Sequence, residues 1–75
     1  IGISIAANKV KGIRCGLCTS VEMAHLTKRH NNANIIALGG RTTSPELAIA
    51  IVDEWLDTEF EGGRHQRRVD MLNEM

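Results

Sequence analysis

The hydrophobic and polar positions in the first half of the chain alternate between helical and extended patterns. Residues 4–10 are rich in alanine and predict a short helix, and the apolar run over 13–18 predicts a strand. Thr19 followed by Glu22 is a capping-box pattern, because each side chain can bond the free backbone N–H of the other residue. A second helix is therefore expected from Thr19 to about His30.

The second half continues this alternation. The asparagine-rich segment 31–34 predicts a turn, and residues 35–38 form a continuous apolar run, which is typical of a strand covered on both faces of a parallel sheet. Ser44 before a proline is a strong helix start, so a third helix is expected to about Thr58. Two glycines then interrupt the chain, and a last helix is expected over 64–75.

The order helix, strand, helix, strand, helix, helix predicts an α/β fold. Two parallel strands alone would leave bare edges and uncovered faces, so the remaining strands are expected from sequence outside this chain or from another chain. The 75 residues make at most one small domain. The chain begins with Ile1 rather than methionine, in a pattern typical of the middle of an element, and we interpret it as a fragment.

Composition and charge exclude several classes of function. Nine basic residues balance nine acidic ones, so no overall field attracts nucleic acid or a membrane surface. No apolar stretch approaches the roughly 20 residues that span a bilayer, and the first residues lack the basic start of a signal peptide. Two cysteines do not make a secreted disulfide framework. We expect a cytoplasmic protein with no nucleic-acid partner and no membrane partner.

Cys15 and Cys18 have the spacing of a dithiol redox loop or of half a zinc site. No second cysteine pair exists, and the three histidines lie at unrelated spacings. Redox chemistry also needs both sulfurs at a helix N-terminus, whereas the predicted helix starts only after Cys18. We interpret both residues as buried strand cysteines that act as small hydrophobic side chains, with a dithiol redox protein as the alternative.

The segment 62–68 carries three arginines and a histidine without an acid. Arg64 and Arg68 are four residues apart, so on a helix their guanidinium groups share one face, near an N-terminus whose free N–H groups also favour an anion. Two such groups suit the oxygens of a phosphate monoester. The alternative is a solvated basic face that pairs with nearby acids, namely Glu59, Glu61 or Asp70.

Three further polar residues lie at the ends of predicted elements. His30 and Asn31, at the end of the second helix, could shuttle protons and hold an oxyanion, or the histidine could simply bond the free carbonyls of the helix end. Arg41 follows the second strand, and the C-terminal ends of strands form the ligand crevice of open α/β sheets. It could reach a bound anion or be an ordinary loop arginine.

Taken together, three segments resemble a known family. Residues 1–9, 29–34 and 62–65, with Arg68, are similar in order and spacing to the second half of type B ribose-5-phosphate isomerases, whose family includes the galactose-6-phosphate isomerase subunits. The resemblance spans essentially the whole chain. It implies one C-terminal part of a Rossmann-like parallel-sheet sandwich, with the N-terminal half absent. Residues 68–73 also resemble the galactose-6-phosphate isomerase A subunit.

The resemblance implies an aldose–ketose isomerase that moves a proton between the first two carbons of a sugar phosphate through an enediolate. It points first to ribose 5-phosphate and ribulose 5-phosphate of the pentose phosphate pathway, with galactose 6-phosphate or allose 6-phosphate as alternatives. No metal or organic cofactor is implied, and family members are dimers or larger. The implied roles are ring opening by His30, substrate contact by Asn31, stabilisation of the enediolate by the loop that ends at Gly2, and phosphate binding by Arg41, Arg64 and Arg68.

The catalytic base implied by the resemblance lies outside this chain. In most members it is a cysteine upstream of the loop, before residue 1, and in a second subclass it is a glutamate at the position of Ile3. Isoleucine cannot abstract a proton, so we expect the cysteine subclass with its base missing, and no activity of the 75 residues alone. The alternative of another class is a non-catalytic phosphate-binding or assembly module.

Overall fold

The computed structural model of the protein describes residues 1–75 and contains four helices and two strands in the predicted order. Their bounds are α1 Gly2–Asn8, β1 Cys15–Leu17, α2 Val21–Asn31, β2 Ile35–Ala37, α3 Pro45–Asp57 and α4 Arg64–Glu74. The predicted α/β class is confirmed. None of these helices has both the length and the apolar character needed to cross a membrane.

The two strands form a small parallel sheet. β1 pairs with β2 in a register that places Cys15 opposite Ile35. Gly16, in the middle of β1, faces α2, and a Cβ atom on it would lie only 2.2 Å from Oγ1 of Thr27. Because no side chain fits in that space, this glycine lets the helix pack directly against the sheet. At Cys15 the outer edge of β1 is capped by the side chain of Asn8, which accepts from the backbone N–H at 2.7 Å and donates to the carbonyl at 3.0 Å.

α2 begins one residue later than the capping-box pattern predicts. Its N-cap is Ser20, whose hydroxyl accepts a hydrogen bond from the backbone N–H of Met23 at 3.2 Å. Thr19 lies outside the helix, and its hydroxyl is 3.0 Å from the Met23 sulfur. Glu22 is therefore the second helical residue, where its charge suits the helix dipole but cannot close a capping box. The predicted cap at Thr19 is wrong by one residue.

α2 ends at Asn31 because Asn32 adopts a left-handed conformation, with φ 48° and ψ 46°. Asparagine tolerates this conformation better than most residues because its short polar side chain can bond locally. The backbone N–H of Asn32 donates to the carbonyl of Lys28 at 3.0 Å. The predicted turn therefore starts one residue later than expected, and both His30 and Asn31 lie in the last turn of the helix.

α3 begins at Pro45 as predicted, and the Ser44 hydroxyl accepts a hydrogen bond from the backbone N–H of Leu47 at 3.2 Å. α3 packs against α2, and the two helices cover a small apolar core. The fully buried side chains of this core are those of Cys18, Ala24 and Ile51. The packing sets the end of α2 next to the segment that follows α3.

Cys18 is buried as a small hydrophobic side chain, as predicted, although it follows β1 instead of lying within it. Cys15 lies in the strand and is partly exposed, and both cysteines are free thiols. Burial raises the pKa of the Cys18 thiol, and the neighbouring Cys15 raises it further. A raised pKa disfavours the thiolate that redox chemistry requires, which supports the structural interpretation.

Large apolar side chains remain exposed on all four helices, and the largest exposed fractions within helices are on α1 and α3. Ile1, Ile3 and Ile5, at the start of the chain, are 77%, 70% and 58% exposed. On α3, Ile49 and Leu56 are 63% and 64% exposed. Apolar groups gathered in this way favour contact with further protein. Their exposure agrees with the expectation that other strands or another chain complete the fold.

Candidate functional site

The candidate site is built around the C-terminal end of α2. Glu61, in the loop before α4, donates its backbone N–H to the carbonyl of Arg29 at 2.9 Å. Nε of Arg29 also lies 3.2 Å from Oε2 of Glu61. These two contacts hold the loop against the end of the helix, beside the imidazole of His30.

A glycine pair then turns the chain directly into α4. Gly62 and Gly63 have φ angles of 72° and 53°, in a region that residues with a side chain rarely adopt. The backbone N–H of His65 donates to the carbonyl of Gly62 at 3.0 Å and closes the turn. α4 consequently begins at Arg64, with its first turn facing the end of α2.

His65 contacts three polar side chains while being only 3% exposed. Its ring stacks on the ring of His30, with centroids 4.2 Å apart and 15° between the planes. Its Nδ1 accepts a hydrogen bond from the guanidinium of Arg68. Its Nε2 lies 3.5 Å from Oε2 of Glu61. One buried ring therefore connects a histidine, an arginine and a carboxylate.

The surroundings of His65 favour its neutral form. Burial lowers the pKa of the imidazole below its ordinary value, and His30, Arg68 and Arg64 lower it further, while Glu61 opposes the shift. Because a guanidinium can only donate, Nδ1 must be the unprotonated acceptor. The ring proton is therefore assigned to Nε2, which is on the side of Glu61 but makes no hydrogen bond, from the contact of Nδ1 with Arg68 alone.

The side chains of His30, Arg64, His65 and Arg68 line an open pocket of about 450 Å³ that has no hydrophobic residue in its lining. The pocket lies at the N-terminal end of α4. The first-turn N–H groups of His65 and Gln66 are not free as predicted, because they donate to the carbonyls of Gly62 and Gly63, but the positive end of the helix dipole still favours an anion. Two arginines on one face of the helix are thus brought next to an imidazole on another helix. This arrangement has the size and charge to hold a phosphate ester.

The acids near the pocket do not neutralise its arginines. Neither Arg64 nor Arg68 forms an ion pair with a carboxylate. Glu61 is engaged by Arg29 and the histidines, and Asp70 accepts a hydrogen bond from Nε2 of Gln66 at 2.7 Å. The alternative interpretation, in which Glu59, Glu61 or Asp70 pairs with these arginines, is not what the structure contains. Both guanidinium groups are available to an external anion.

The same cluster includes residue types that bind metals. One ligand atom each from His30, Glu61 and His65 lies within 4.8 Å of the others. However, the tautomer set by Arg68 places a proton on Nε2 of His65, so this nitrogen has no lone pair to offer a metal. The guanidinium groups of Arg64 and Arg68 add positive charge at the place a cation would occupy. The cluster does not fit a divalent metal ion.

Arg41 lies in a different part of the molecule. It belongs to a separate pocket of about 550 Å³, lined by Ile1, Leu17, Thr19, Gly39, Gly40, Arg41 and Thr42. Leu17 ends β1 and Gly39 follows β2, so this pocket lies at the C-terminal edge of the sheet, as the position of Arg41 after a strand predicts. Arg41 does not line the pocket of His30.

The remaining predicted residues lie beside these pockets rather than in their linings. Gly2 is the exposed first residue of α1, with open space where its Cβ would be. Asn31 is the exposed last residue of α2, next to His30 in the chain. The structure thus brings His30, Arg64 and Arg68 together, and it does not bring Asn31, Gly2 or Arg41 into the same pocket. The catalytic and binding roles of all these residues stay predictions.

Sequence reasoning did not identify the contributions of His65 and Glu61. One spacing carried a signal, because residues three apart are neighbours on a helix face and His65 is three before Arg68. Glu61 is outside α4, so helix periodicity does not indicate its contact with His65. No pattern in the sequence indicated that the loop of Glu61 returns to Arg29. That contact joins segments distant along the chain.

The fold and the site define a class of protein: an α/β unit with a parallel sheet that presents a phosphate-sized basic pocket next to an imidazole. The profile of the Ribose/Galactose Isomerase family matches residues 1–72. The chain belongs to this family, and the resemblance inferred from its motifs is confirmed.

Individual relatives agree with this assignment. Ribose-5-phosphate isomerase B of Escherichia coli (strain K12) is 50% identical over 72 residues, which cover 96% of this chain and 48% of the relative. The crystal structure of a ribose 5-phosphate isomerase from Thermotoga maritima matches with a TM-score of 0.97 at 52% identity, covering 100% of this chain and 52% of that one.

A further solved structure contains a ligand. Ribose-5-phosphate isomerase B from Mycoplasma genitalium, with bound ribulose-5-phosphate, matches with a TM-score of 0.96 at 44% identity, covering 99% of this chain and 49% of that one. The chain spans about half the length of the curated relatives it matches. The predicted Rossmann-like architecture, of which this chain forms about half, is confirmed by these neighbours.

Proposed function

We propose that residues 1–75 are the C-terminal part of a sugar-phosphate aldose–ketose isomerase that interconverts ribose 5-phosphate and ribulose 5-phosphate. The observation that carries this proposal is the pocket in which two arginines without carboxylate partners lie beside the imidazole of His30, in a member of the Ribose/Galactose Isomerase family. The ribulose-5-phosphate bound to the relative from Mycoplasma genitalium favours the five-carbon substrate over galactose 6-phosphate or allose 6-phosphate.

Arg64 and Arg68 bind the phosphate group of the substrate. Their guanidinium groups present planar forks of N–H donors that match phosphate oxygens, and the positive end of the α4 dipole adds to the same attraction. A phosphate held in this way fixes one end of an extended sugar. The carbonyl carbon is then held at a constant distance from the phosphate, which aligns it with the acid–base groups.

His30 transfers the proton that opens the sugar ring, and Asn31 contacts the opened substrate. The His30 ring is held on one face by His65 and has its Nε2 4.0 Å from Oε2 of Glu61. Gly2 ends the loop whose backbone N–H groups stabilise the enediolate. The base that moves the proton between the first two carbons is supplied from outside these residues, since Ile3 has no group that can accept it.

Arg41 contributes to phosphate binding in a neighbouring copy of a homo-oligomer. Its pocket and the pocket of His30 have no lining residue in common, which supports a role at another copy's site. The exposed side chains of Ile49 and Leu56 on α3 offer apolar area for association. The free thiols of Cys15 and Cys18 support a reducing compartment such as the cytoplasm.

An isomerase assay on the complete protein that carries this sequence tests the proposal. Ribose 5-phosphate, galactose 6-phosphate and allose 6-phosphate are compared, and the highest kcat/KM is expected for ribose 5-phosphate. The 75-residue chain alone is expected to show no turnover. If the complete protein turns over none of the three sugars yet binds inorganic phosphate, the non-catalytic phosphate-binding alternative replaces this proposal.

A further inference from the structure

The proposed reaction assigns no task to His65, although this residue is the most deeply buried histidine and contacts both the phosphate pocket and the proton-transfer group. We infer that His65 is a positioning residue that couples the guanidinium of Arg68 to the imidazole of His30. This inference rests on the proposed function, since it concerns the same pocket.

The first half of the coupling is the contact between Arg68 and Nδ1 of His65. An arginine on an exposed helix face has many rotamers, and ordering it when a phosphate binds costs conformational entropy. A buried acceptor that holds one donor of the guanidinium selects a rotamer before the ligand arrives. The other donors of the fork remain directed into the pocket, so Arg68 is preorganised for the phosphate oxygens.

The second half is the stack between His65 and His30, whose ring planes differ by 15° at a centroid distance of 4.2 Å. The stack covers one face of the His30 ring and limits rotation about its side-chain bonds. A proton-transfer group must point its nitrogen at the reacting oxygen, so a limit on ring rotation acts directly on the rate of ring opening.

The contact with Arg68 requires a neutral His65. A protonated imidazole would turn Nδ1 into a donor, and the hydrogen bond from Arg68 would be lost. The groups that face His65 are His30, Arg64, Arg68 and Glu61, and burial together with the three basic groups holds the pKa of the imidazole below its ordinary value. Glu61, 3.5 Å from Nε2, lies on the side of the ring proton.

Two substitutions in the complete protein separate the two contacts. His65→Phe keeps an aromatic ring that can stack on His30 but removes the acceptor for Arg68. It should raise the KM for ribose 5-phosphate and the Kd for inorganic phosphate about tenfold, the lower end of the effect of a hydrogen bond to a charged group, with kcat within about twofold.

His65→Asn is the complementary variant. Its side-chain oxygen lies near the position of Nδ1 and can still accept from Arg68, but it has no ring to stack on His30. It should lower kcat about tenfold while KM and the Kd for inorganic phosphate stay within about threefold. Gln66→Ala, at an exposed neighbouring position, is the matched control and should behave as the unchanged protein.

If His65 only stabilised the fold, one variant would not change KM alone while the other changed kcat alone. If both variants change KM and kcat in parallel, or change neither, the inference is wrong. If His65→Phe does not fold, a double-mutant cycle of His65→Ala with Arg68→Ala replaces it. The inference expects the two losses of phosphate affinity to be strongly non-additive, and additive losses would overturn it.

The variant Arg64→Ala separates a failure of this inference from a failure of the proposed function. Arg64→Ala does not touch the contacts of His65 with Arg68 and His30, yet it removes a proposed phosphate ligand. If Arg64→Ala leaves the KM for ribose 5-phosphate unchanged, the phosphate site itself is misplaced. If Arg64→Ala raises KM while the His65 variants behave as the unchanged protein, only the positioning role of His65 is lost.

Discussion

The pocket of His30 and the pocket of Arg41 both contain arginine near the end of a regular element, yet they differ in how their side chains are held. In the first, Arg68 bonds His65, His65 stacks on His30, and Glu61 bonds Arg29. In the second, Arg41 is exposed on a loop and forms no ion pair.

The difference shows what converts basic residues into a site. Charge alone attracts an anion, but a preorganised cluster of mutually oriented side chains avoids the ordering cost of binding. The pocket of His30 has this organisation within one chain. The pocket of Arg41 lacks it, which agrees with a contribution that becomes ordered only when another copy or further chain covers it.

The largest effect is expected for Arg64→Ala in the complete protein. Loss of a forked contact to a phosphate dianion should raise the KM for ribose 5-phosphate by about 30- to 150-fold, equivalent to about 2–3 kcal/mol. Steady-state kinetics measure it. Arg67→Ala is the matched control, because this neighbouring arginine is exposed and does not line the pocket. An unchanged KM in Arg64→Ala would show that the phosphate does not bind in the pocket of His30.

A smaller effect is expected for Arg41→Ala, about a tenfold rise in KM, because the loop arginine is not preorganised. If Arg41 acts at a neighbouring copy, subunit exchange between Arg41→Ala and Arg64→Ala should restore intact sites. In random dimers about one quarter of the sites would carry both arginines. Activity measured after mixing and exchange tests this. No gain over the separate variants would place Arg41 at its own copy's site or outside the site altogether.

Asn32→Ala tests the left-handed residue that ends α2, the helix that carries His30. Alanine in the left-handed conformation that ends α2 should lower the free energy of unfolding by about 1 kcal/mol, whereas Asn32→Gly should cost little because glycine adopts it freely. Urea denaturation of the complete protein measures both. Equal stability of the two variants would contradict the left-handed conformation of residue 32.

The pH dependence of stability is the smallest effect. The folded pKa of His65 is lowered, so between that value and the ordinary value of about 6.5 the unfolded chain binds more protons than the folded one. The His65 contribution to stability is therefore present above about pH 6.5 and is lost as the pH falls through the folded pKa. Urea midpoints compared at about pH 8 and about pH 5.5 should show this loss, and His65→Gln should reduce it. An identical pH dependence in His65→Gln would contradict a lowered pKa.

The elements and part of the site could be predicted because their signals are local. Ser44 before Pro45 marks a helix start through a bond to a residue three positions away, and the structure contains that bond. The start of α2 was misplaced because Thr19 and Ser20 are both good caps, and only the path of the chain after β1 selects the serine. Asn32 was recognised as part of a turn, but the residue that takes the left-handed conformation depends on where the helix stops.

The sequence by itself determined the order of helices and strands, the shared face of Arg64 and Arg68, and the family, because helix periodicity and motif spacing are properties of neighbouring residues. Tertiary structure decided the rest. It buried His65 between Arg68 and His30, directed Glu61 to Arg29 instead of the pocket arginines, and separated Arg41 from the others. These outcomes depend on contacts between segments far apart in the chain. Whether a histidine is neutral or an arginine is free follows from which groups folding brings together.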